Sequence, residues 1–243
     1  MTPYQYVSNN PIMRIDPTGM NDHDYKLNKD GSLEKTRHTK DNYDRIFNEK
    51  GDDGIVVSKG FIDMSHEVKD DKGNKSTVYP MSSDDVKYGS GKSIFKFFAD
   101  NTHKEYGYSE FKNNKTGNKF GFLITSGLDT RIYNVGKTIG DYLSVDQNVF
   151  LTYNTHNHPT KYDPEWYHSG TTPSGFIKTS KLNTTLIPGV NRRTKKAEGD
   201  RGVYKLLKEN YGNRIPDFFN LYIPDAQHIN VRYNDRTAIR KSN

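Results

Sequence analysis

Residues 149–159 read VFLTYNTHNHP, and this stretch decides both the fold and the place of its chemistry. Its first part, VFLTY at 149–153, predicts a short buried strand that runs directly into His-Asn-His-Pro. In an extended chain, residues two apart project to the same side, so His156 and His158 can converge on one ion. Zinc accepts imidazole and carboxylate ligands in a tetrahedral site that can keep one position for water. The stretch therefore predicts a strand that ends at a metal site.

A third ligand has to come from elsewhere in the chain. The chain has no cysteine, so a carboxylate is the candidate type. Asp200 is the first choice, because it stands just before a predicted helix and follows Gly199, which permits close approach of the backbone. An Asp before a helix is also explained as an N-cap with no other role. Asp163 is nearer in sequence, but it falls in the polar loop predicted for residues 160–198.

The apolar patterns on either side of this stretch predict an α+β fold. Helical spacing of Ile94, Phe97 and Phe98 predicts one helix, and an apolar face predicts another, formed by Val203, Leu206, Leu207 and Tyr211. Aromatic and β-branched runs predict a hairpin before the His-Asn-His segment and a second hairpin near the C-terminus. The predicted helices are 93–100 and 201–211, and the hairpin strands are 105–111, 120–125, 218–223 and 228–233. This order predicts a mainly antiparallel sheet with flanking helices.

Composition limits the size of the core and the choice of partners. Hydrophobic residues make up 32% of the chain and the mean hydropathy is −0.96, which predicts a modest core with long polar stretches. Residues 21–92 are dense in Asp, Asn, Lys and Gly and predict a polar linker with one or two short hairpins. The net charge of +6 and the pI near 9.1 are compatible with nucleic acid as a partner, but they are weaker than in a dedicated nucleic-acid-binding protein.

Several classes of protein are excluded. No apolar run approaches the roughly 20 residues of a membrane span, and the N-terminus lacks the apolar region of a signal peptide, which excludes an integral membrane protein. The absence of cysteine excludes a disulfide framework, a cysteine-ligated zinc or iron–sulfur site and a cysteine nucleophile.

The first 20 residues differ in kind from the rest. Asn9-Asn10-Pro11 and Asp16-Pro17-Thr18-Gly19 are turn signals on either side of Ile12-Met13-Arg14-Ile15, which predicts a short strand and a tight turn. Over residues 3–20 the pattern resembles the end of the Rhs/YD-repeat shell. The resemblance implies that residues 1–20 close an Rhs core and that the chain is the tail of a longer polypeptide. It further implies a secreted effector delivered into a bacterial target cell, with the Rhs shell, a secretion apparatus and a cognate immunity protein as partners.

A second resemblance covers residues 93–233. A helix followed by Glu105, then His156-x-His158-Pro159, then Pro173-Ser174-Gly175-Phe176 and Gly199-Asp200, resembles the JAB/MPN (JAMM) metallopeptidases and most of all their JAB-like toxin branch. It implies the cytidine-deaminase-like architecture of that family. With the first resemblance, it divides the chain into an Rhs end (1–20), a polar linker or irregular segment (21–92) and a JAB-like metallopeptidase toxin domain (93–243).

The same resemblance assigns roles to residues. It implies zinc on His156, His158 and Asp200, with Glu105 as the general base and Ser174 as the donor of a hydrogen bond to the oxyanion. Ser169 is a rival for the oxyanion role and Glu110 is a rival for the base. The usual family spacing would place the Ser at position 166, which is Trp166 here, so the loop must be expanded.

These observations lead to three competing functions. The first is a zinc-dependent peptidase or isopeptidase that acts on a protein substrate in the target cell, as the toxin domain of an Rhs effector in interbacterial competition. The second is a metal-dependent, HNH-like nuclease toxin, suggested by the basic charge and the His156-Asn157-His158 string. The third is a metal-free binding module. Zinc content together with peptide cleavage would favour the first, and magnesium-dependent degradation of DNA or RNA would favour the second.

Overall fold

A computed structural model of the chain describes residues 22–39, 41–88, 91–129, 131–159, 199–224, 229–235 and 238–241. Several residues singled out above therefore lie outside the described residues. These are the Rhs-like segment at 3–20 and four residues of the stretch 160–198, namely Asp163, Trp166, Ser169 and Ser174.

Residues 22–58 form a small four-stranded sheet. Its strands are β1 (Asp22–Leu27), β2 (Leu33–Thr39), β3 (Tyr43–Asn48) and β4 (Gly54–Ser58). The order across the sheet is β2-β1-β3-β4, with β1 and β3 parallel and the other neighbours antiparallel. One face of this sheet is apolar, because Tyr25, Leu27 and Ile46 alternate with polar residues and are buried.

A second sheet of eight strands forms the body of the fold. Its strands are β5 (His66–Lys69), β6 (Lys75–Met81), β7 (Tyr106–Asn113), β8 (Lys119–Thr125), β9 (Val149–Asn157), β10 (Phe219–Ile223), β11 (Ile229–Tyr233) and β12 (Ala238–Lys241). The order is β12-β11-β10-β9-β7-β8-β6-β5. Every neighbouring pair is antiparallel except β9 and β10, which are parallel.

Helices cover both faces of the large sheet. They are α1 (Ser83–Tyr88), α2 (Gly91–Asn101), α3 (Val135–Val145) and α4 (Gly199–Tyr211), and α4 is followed by a 3-10 turn at Gly212–Arg214. Within the described ranges, none of these helices has the length and apolar character needed to cross a membrane.

The core divides into two layers, one on each face of the large sheet. On one face, α2 buries Ile94, Phe95 and Phe98 in a cluster that also contains Tyr106 of β7 and Ile46 of the small sheet. On the other face, α3 and α4 pack against the side chains of β8, β9 and β10. The alternation of side chains along each strand supplies both layers from one set of strands.

The α+β fold with a mainly antiparallel sheet and flanking helices is confirmed. The predicted helices and hairpins occur where the sequence patterns placed them, with boundaries shifted by a few residues. The apolar face predicted for the second helix was wrong at Leu206, which is 53% exposed, whereas Tyr204 is buried in its place. Strand β9 continues through Asn157, so His156 lies within the strand and not after it. Helix α3 is an element that the sequence analysis did not predict.

Residues 22–81 differ from the predicted polar linker. They contain six strands, and β5 and β6 join the large sheet through pairing of β6 with β8. The polar composition hid these strands, because β2 and β5 bury no side chain and the buried residues of β1 and β3 alternate with charged ones such as Lys26 and Arg45. The division of the chain at residues 20 and 92 stays a prediction.

Candidate metal centre

Three side chains meet where β9 ends. The Nε2 atoms of His156 and His158 are 3.2 Å apart. Oδ2 of Asp200 lies 3.3 Å from Nε2 of His156 and 3.7 Å from Nε2 of His158. A tetrahedral ion with bonds of about 2.0–2.1 Å has ligands about 3.3 Å apart. The three atoms therefore have the spacing of one face of such a coordination sphere.

The two imidazoles are held by the hydrogen-bond ladder of β9. His156 is paired with Gly107 of β7 on one side and with Leu221 of β10 on the other. The backbone N–H of His158 donates to the carbonyl of Tyr222 at 3.1 Å, so β10 still supports the chain after β9 ends. The backbone that carries His156 is therefore fixed by pairing on both sides, and the backbone of His158 is fixed on the β10 side.

Asp200 reaches the site from the first turn of α4. Gly199 before it has φ of 69°, a left-handed conformation that glycine adopts without a steric penalty. The helix is anchored by Tyr204 and Leu207, which are buried in the same apolar layer as α3. The turn at Gly199 and the anchored helix together present the carboxylate to the end of β9.

Glu105 lies beside the imidazoles, directly before β7. Its Oε1 is 4.0 Å from Nε2 of His158, and donor atoms of Glu105, His156 and His158 all lie within 4.8 Å of one another. Its own peptide groups are fixed on the side of β8, since its N–H donates to the carbonyl of Leu128 and its carbonyl accepts from the Thr125 hydroxyl, both at 2.8 Å. With 5% of its surface exposed, Glu105 is a buried acid next to two bases.

The electrostatics of this cluster suit a cation. Burial is the largest influence on Glu105 and raises its pKa to about 8, a shift that His156 opposes and Asp200 reinforces. Burial lowers the pKa of His156, but the carboxylates of Asp200 and Glu105 outweigh it, so this pKa lies above its ordinary value. Two carboxylates and two neutral imidazoles carry a formal charge of −2, which a divalent ion would neutralise while displacing protons.

The hydroxyl of Tyr233 on β11 lies 3.5 Å from the other ring nitrogen of His156, Nδ1. Burial holds the pKa of Tyr233 well above its ordinary value, so the phenol keeps its proton. A metal-binding imidazole usually donates its second N–H to an acceptor, which leaves the other nitrogen free for the ion. A hydrogen bond from Nδ1–H of His156 to the Tyr233 oxygen would leave Nε2, which faces the cluster, free for the ion.

The structure brings together four of the five residues named for the site. These are Glu105, His156, His158 and Asp200, and the fifth, Ser174, lies outside the described residues. Glu110, the rival for the base, is engaged elsewhere, because its carboxylate accepts from the Tyr108 hydroxyl at 3.1 Å and lies 3.6 Å from Nζ of Lys119.

Sequence reasoning missed the polar residues that support the site. Tyr233 was visible only as an aromatic residue of a strand, and Thr125 only as a strand terminus. Asn157 carried a signal, since a polar residue between two candidate metal ligands at the end of a buried strand needs hydrogen-bond partners.

This arrangement, with two imidazoles at the end of a strand, one carboxylate at the start of a helix and a buried acid beside them, defines a candidate centre for one divalent metal ion. Residues 86–205 match the family model described as JAB-like toxin 1, and the match includes all four clustered residues. This part of the chain is therefore similar to JAB-like toxin domains. No curated protein and no solved structure matches the chain.

Proposed function

We propose that the chain is a zinc-dependent peptidase or isopeptidase that acts as a toxin. The observation that carries the proposal is the set of separations of 3.2, 3.3 and 3.7 Å among His156, His158 and Asp200. Glu105 stands 4.0 Å from one of these ligands. Glu105 would thus lie next to the ion without being one of its three protein ligands. Metal-assisted hydrolysis of an amide uses a general base in such a position.

The donor set fits zinc. Two neutral imidazoles and one carboxylate give three protein ligands, which is the number found in catalytic zinc sites that keep one position open. The chain has no thiol to close the fourth position. A bound zinc ion would act as a Lewis acid and would lower the pKa of a water molecule to about 7.

Glu105 performs the proton transfers in the proposed reaction. Its carboxylate accepts a proton from water at Oε1 as the water oxygen bonds to the substrate carbonyl carbon. The C–N bond then breaks, and Glu105 returns the proton to the nitrogen of the leaving amine. Its burial keeps bulk water away from the carboxylate. Burial also raises the pKa of Glu105 toward neutral pH, and a general base is most effective when its pKa lies near the pH of the reaction.

Ser174 is proposed as the donor of a hydrogen bond to the oxyanion, on the basis of the family resemblance of its Pro-Ser-Gly-Phe segment. Ser174→Ala should reduce kcat by roughly 10²–10³-fold, the usual effect of removing one such donor. The matched change Ser169→Ala should leave kcat within a few-fold, and the reverse outcome would transfer the role to Ser169.

We propose the surrounding biology on the resemblance of residues 3–20 to an Rhs shell end. In this view the domain is delivered into a target bacterium as the tip of an Rhs effector, cleaves a protein there and is neutralised by a cognate immunity protein. Expression of the chain in a bacterial cytoplasm should arrest growth, and the immunity protein should restore growth and copurify with the chain.

The activity is tested with the purified chain and three variants. Zinc content by mass spectrometry and cleavage of a proteome-derived peptide library are measured for wild type, Glu105→Gln, His156→Ala and Glu110→Gln. Glu105→Gln should keep its zinc and lose roughly 10²–10⁴-fold in rate, as expected on loss of a general base. His156→Ala should lose both zinc and cleavage, and Glu110→Gln should keep both.

Two results would overturn the proposal. One is magnesium-dependent degradation of DNA or RNA by wild type without peptide cleavage, which would identify a nuclease. The other is growth arrest that persists unchanged in both Glu105→Gln and His156→Ala, which would point to a binding module that needs no metal.

A further inference from the structure

We infer that Asn157, the residue between the two imidazoles, is a positioning residue that sets the place of Glu105 relative to the metal ligands. The expected effect on catalysis rests on the proposed function. The geometric part of the inference rests on the hydrogen bonds of the buried Asn157 amide alone. Asn157 has none of its surface exposed.

The side-chain amide of Asn157 brackets Glu105 on both sides. Its Oδ1 accepts a hydrogen bond of 2.7 Å from the backbone N–H of Tyr106. Its Nδ2 donates a hydrogen bond of 3.0 Å to the backbone carbonyl of Lys104. These two peptide groups directly precede and follow Glu105, so one side chain holds the segment that carries the acid.

The amide continues the sheet where the backbone ladder stops. The pairing of β7 with β9 begins at Gly107 opposite His156, so Glu105 lies beyond the last backbone pair. The Tyr106 N–H and the Lys104 carbonyl need partners there, because buried peptide groups are costly when unsatisfied. Asn157 supplies one acceptor and one donor in place of a further residue of β9.

Asn157 acts through Glu105 and not on the ion. Successive side chains of a strand point to opposite faces, so Asn157 points away from the face of His156 and His158. Its two polar atoms are both engaged with backbone groups of the Glu105 segment. It therefore touches neither the metal position nor the reacting atoms.

The other contacts of Glu105 cannot replace this one. The Thr125 hydroxyl and the Leu128 carbonyl attach Glu105 to β8 and to the loop that follows it. Asn157 attaches the same segment to β9, the strand that carries both imidazoles. The distance between the base and the ligands is therefore set across the β7–β9 boundary by this amide.

The chemistry of this position is specific to asparagine. An ionised aspartate would have no donor for the Lys104 carbonyl, leucine would offer neither group, and glutamine would place its amide one methylene too far. An isosteric apolar replacement thus removes both hydrogen bonds with little change of volume, which makes Asn157→Leu the informative variant.

The test is a double-mutant cycle on the zinc-loaded chain. Wild type, Asn157→Leu, Glu105→Gln and the double variant are compared for kcat and KM on a peptide that wild type cleaves, and for zinc affinity by competition with a chromophoric chelator. Asn157→Leu should lower kcat by roughly 10–100-fold, because misplacement of a catalytic group by about 1 Å has an effect of this size. KM and zinc affinity should stay within about threefold, and the double variant should be no slower than Glu105→Gln alone.

Asn154→Leu is the matched control. Asn154 is also buried on β9 and donates to the Ser109 hydroxyl at 2.9 Å, but it has no contact with the Glu105 segment in the described structure. A loss of activity in this variant should multiply with that of Glu105→Gln. If Asn157→Leu also multiplies with Glu105→Gln, or if it weakens zinc binding as much as it lowers kcat, the positioning role is wrong.

A structure of Asn157→Leu separates this inference from the proposed function. The Glu105 Oε1–His158 Nε2 separation should grow by about 1 Å or more, while the His156–His158 separation stays near 3.2 Å. An unchanged position of Glu105 would overturn the inference even if wild type is an active peptidase. If wild type cleaves no peptide, the proposed function fails, and the displacement of Glu105 still decides whether Asn157 positions it.

Discussion

The two ring nitrogens of His156 have different neighbours, and from this difference we predict an effect of Tyr233 on zinc affinity. Nε2 faces His158 and Asp200, whereas Nδ1 lies 3.5 Å from the Tyr233 hydroxyl. Tyr233→Phe keeps the ring that packs at right angles to His156 and removes only the acceptor. Zinc affinity should fall by roughly tenfold, near the lower end of the usual effect of such partners, since the contact is long.

Competition with a chromophoric chelator measures that change. Tyr222→Phe is a suitable control, because the Tyr222 hydroxyl donates to Asp100 at 2.6 Å and not to a proposed metal ligand. Equal zinc affinities in wild type and Tyr233→Phe would show that the phenol does not select the tautomer of His156.

The raised pKa of Glu105 predicts how the free energy of unfolding of the metal-free chain depends on pH. Burial raises its pKa from 4.5 to about 8, so the folded state keeps a proton that the unfolded state releases. The contribution of this carboxyl to stability is complete below pH 4.5 and is lost as the pH rises to about 8. At 1.36 kcal/mol per pH unit the loss is at most about 5 kcal/mol.

Urea unfolding of the metal-free wild type and Glu105→Gln at several pH values tests this. The stability of the variant relative to wild type should increase steadily across the window from 4.5 to 8. Addition of zinc should reduce the difference in slope, because a nearby cation favours the ionised carboxylate. Parallel curves for the two metal-free proteins would contradict the raised pKa.

At the residue scale the sequence indicated which side chains cluster, but it did not indicate the residues that support them. The spacing of two histidines in a strand is enough to bring the rings together, since the pleat repeats every two residues. The choice of Glu105 over Glu110 came from family resemblance alone, and the structure supplies the physical reason in the contacts of Glu110 with Tyr108 and Lys119. The partners of Asn157 come from a different strand, and no local pattern announces them.

At the scale of an element, the packing at the start of α2 predicts the effect of a substitution on stability. Gly91 packs directly on the ring of the buried Tyr108, and a Cβ at this position would overlap that ring. Gly91→Ala should destabilise the chain by about 1–3 kcal/mol, the usual effect of overpacking, because α2 must move away from the sheet. Gly136→Ala at the start of α3 meets only a Val203 methyl at 3.3 Å and should change stability by less than about 1 kcal/mol.

Thermal or urea unfolding followed by circular dichroism measures both variants. A Gly91→Ala chain as stable as Gly136→Ala would show that α2 can shift without loss of packing. Because α2 lies over β7, a shift should also be visible as changed amide exchange in the segment around Glu105.

Elements with a wide apolar face were predictable and those with a narrow one were not. Phe97 and Phe98 clearly predict α2 from the sequence. In α3, by contrast, Thr138, Ile139 and Leu143 are the buried residues, and this narrow face gives a weak helical pattern. In the small sheet, β3 buries Asp44 and Ile46 and β4 buries Val57, whereas β2 buries no side chain. The buried positions of these strands are too few to stand out against the average polarity of the segment.

At the scale of the whole molecule, the two sheets share one core, so we predict that they unfold together. Ile46 of the small sheet is buried in the same cluster as Phe98 of α2 and Tyr106 of β7. Ile46→Ala should therefore destabilise the entire described fold by about 2–5 kcal/mol. Val56→Ala, where 49% of the residue's surface is exposed, should have an effect below about 0.5 kcal/mol.

The readout is the coincidence of two transitions. In Ile46→Ala, loss of secondary structure and release of zinc should move together to lower urea concentration. If secondary structure is lost in part while zinc stays bound, the small sheet unfolds as an independent unit and the shared core is not cooperative.

The fold class was predictable at this scale because the order of helices and strands along the chain defines it. The joining of residues 22–81 to the rest was not, since it depends on contacts between segments far apart in sequence, such as Tyr79 of β6 opposite Leu123 of β8. A sequence pattern reports which face of a strand is apolar, but not which neighbour will cover it.

The parallel pairing of β9 with β10 leaves the candidate metal ligands on separate parts of the chain, with Asp200 following His158 by 42 positions. An unfolded polypeptide cannot hold these groups together, because closing so long a loop is entropically unfavourable. An ion held at both ends would consequently work as a removable crosslink that fastens the α4 segment to the central sheet. Chelation would then release a tether as well as a cofactor, and the α4 segment would be the first part of the described fold to lose its attachment.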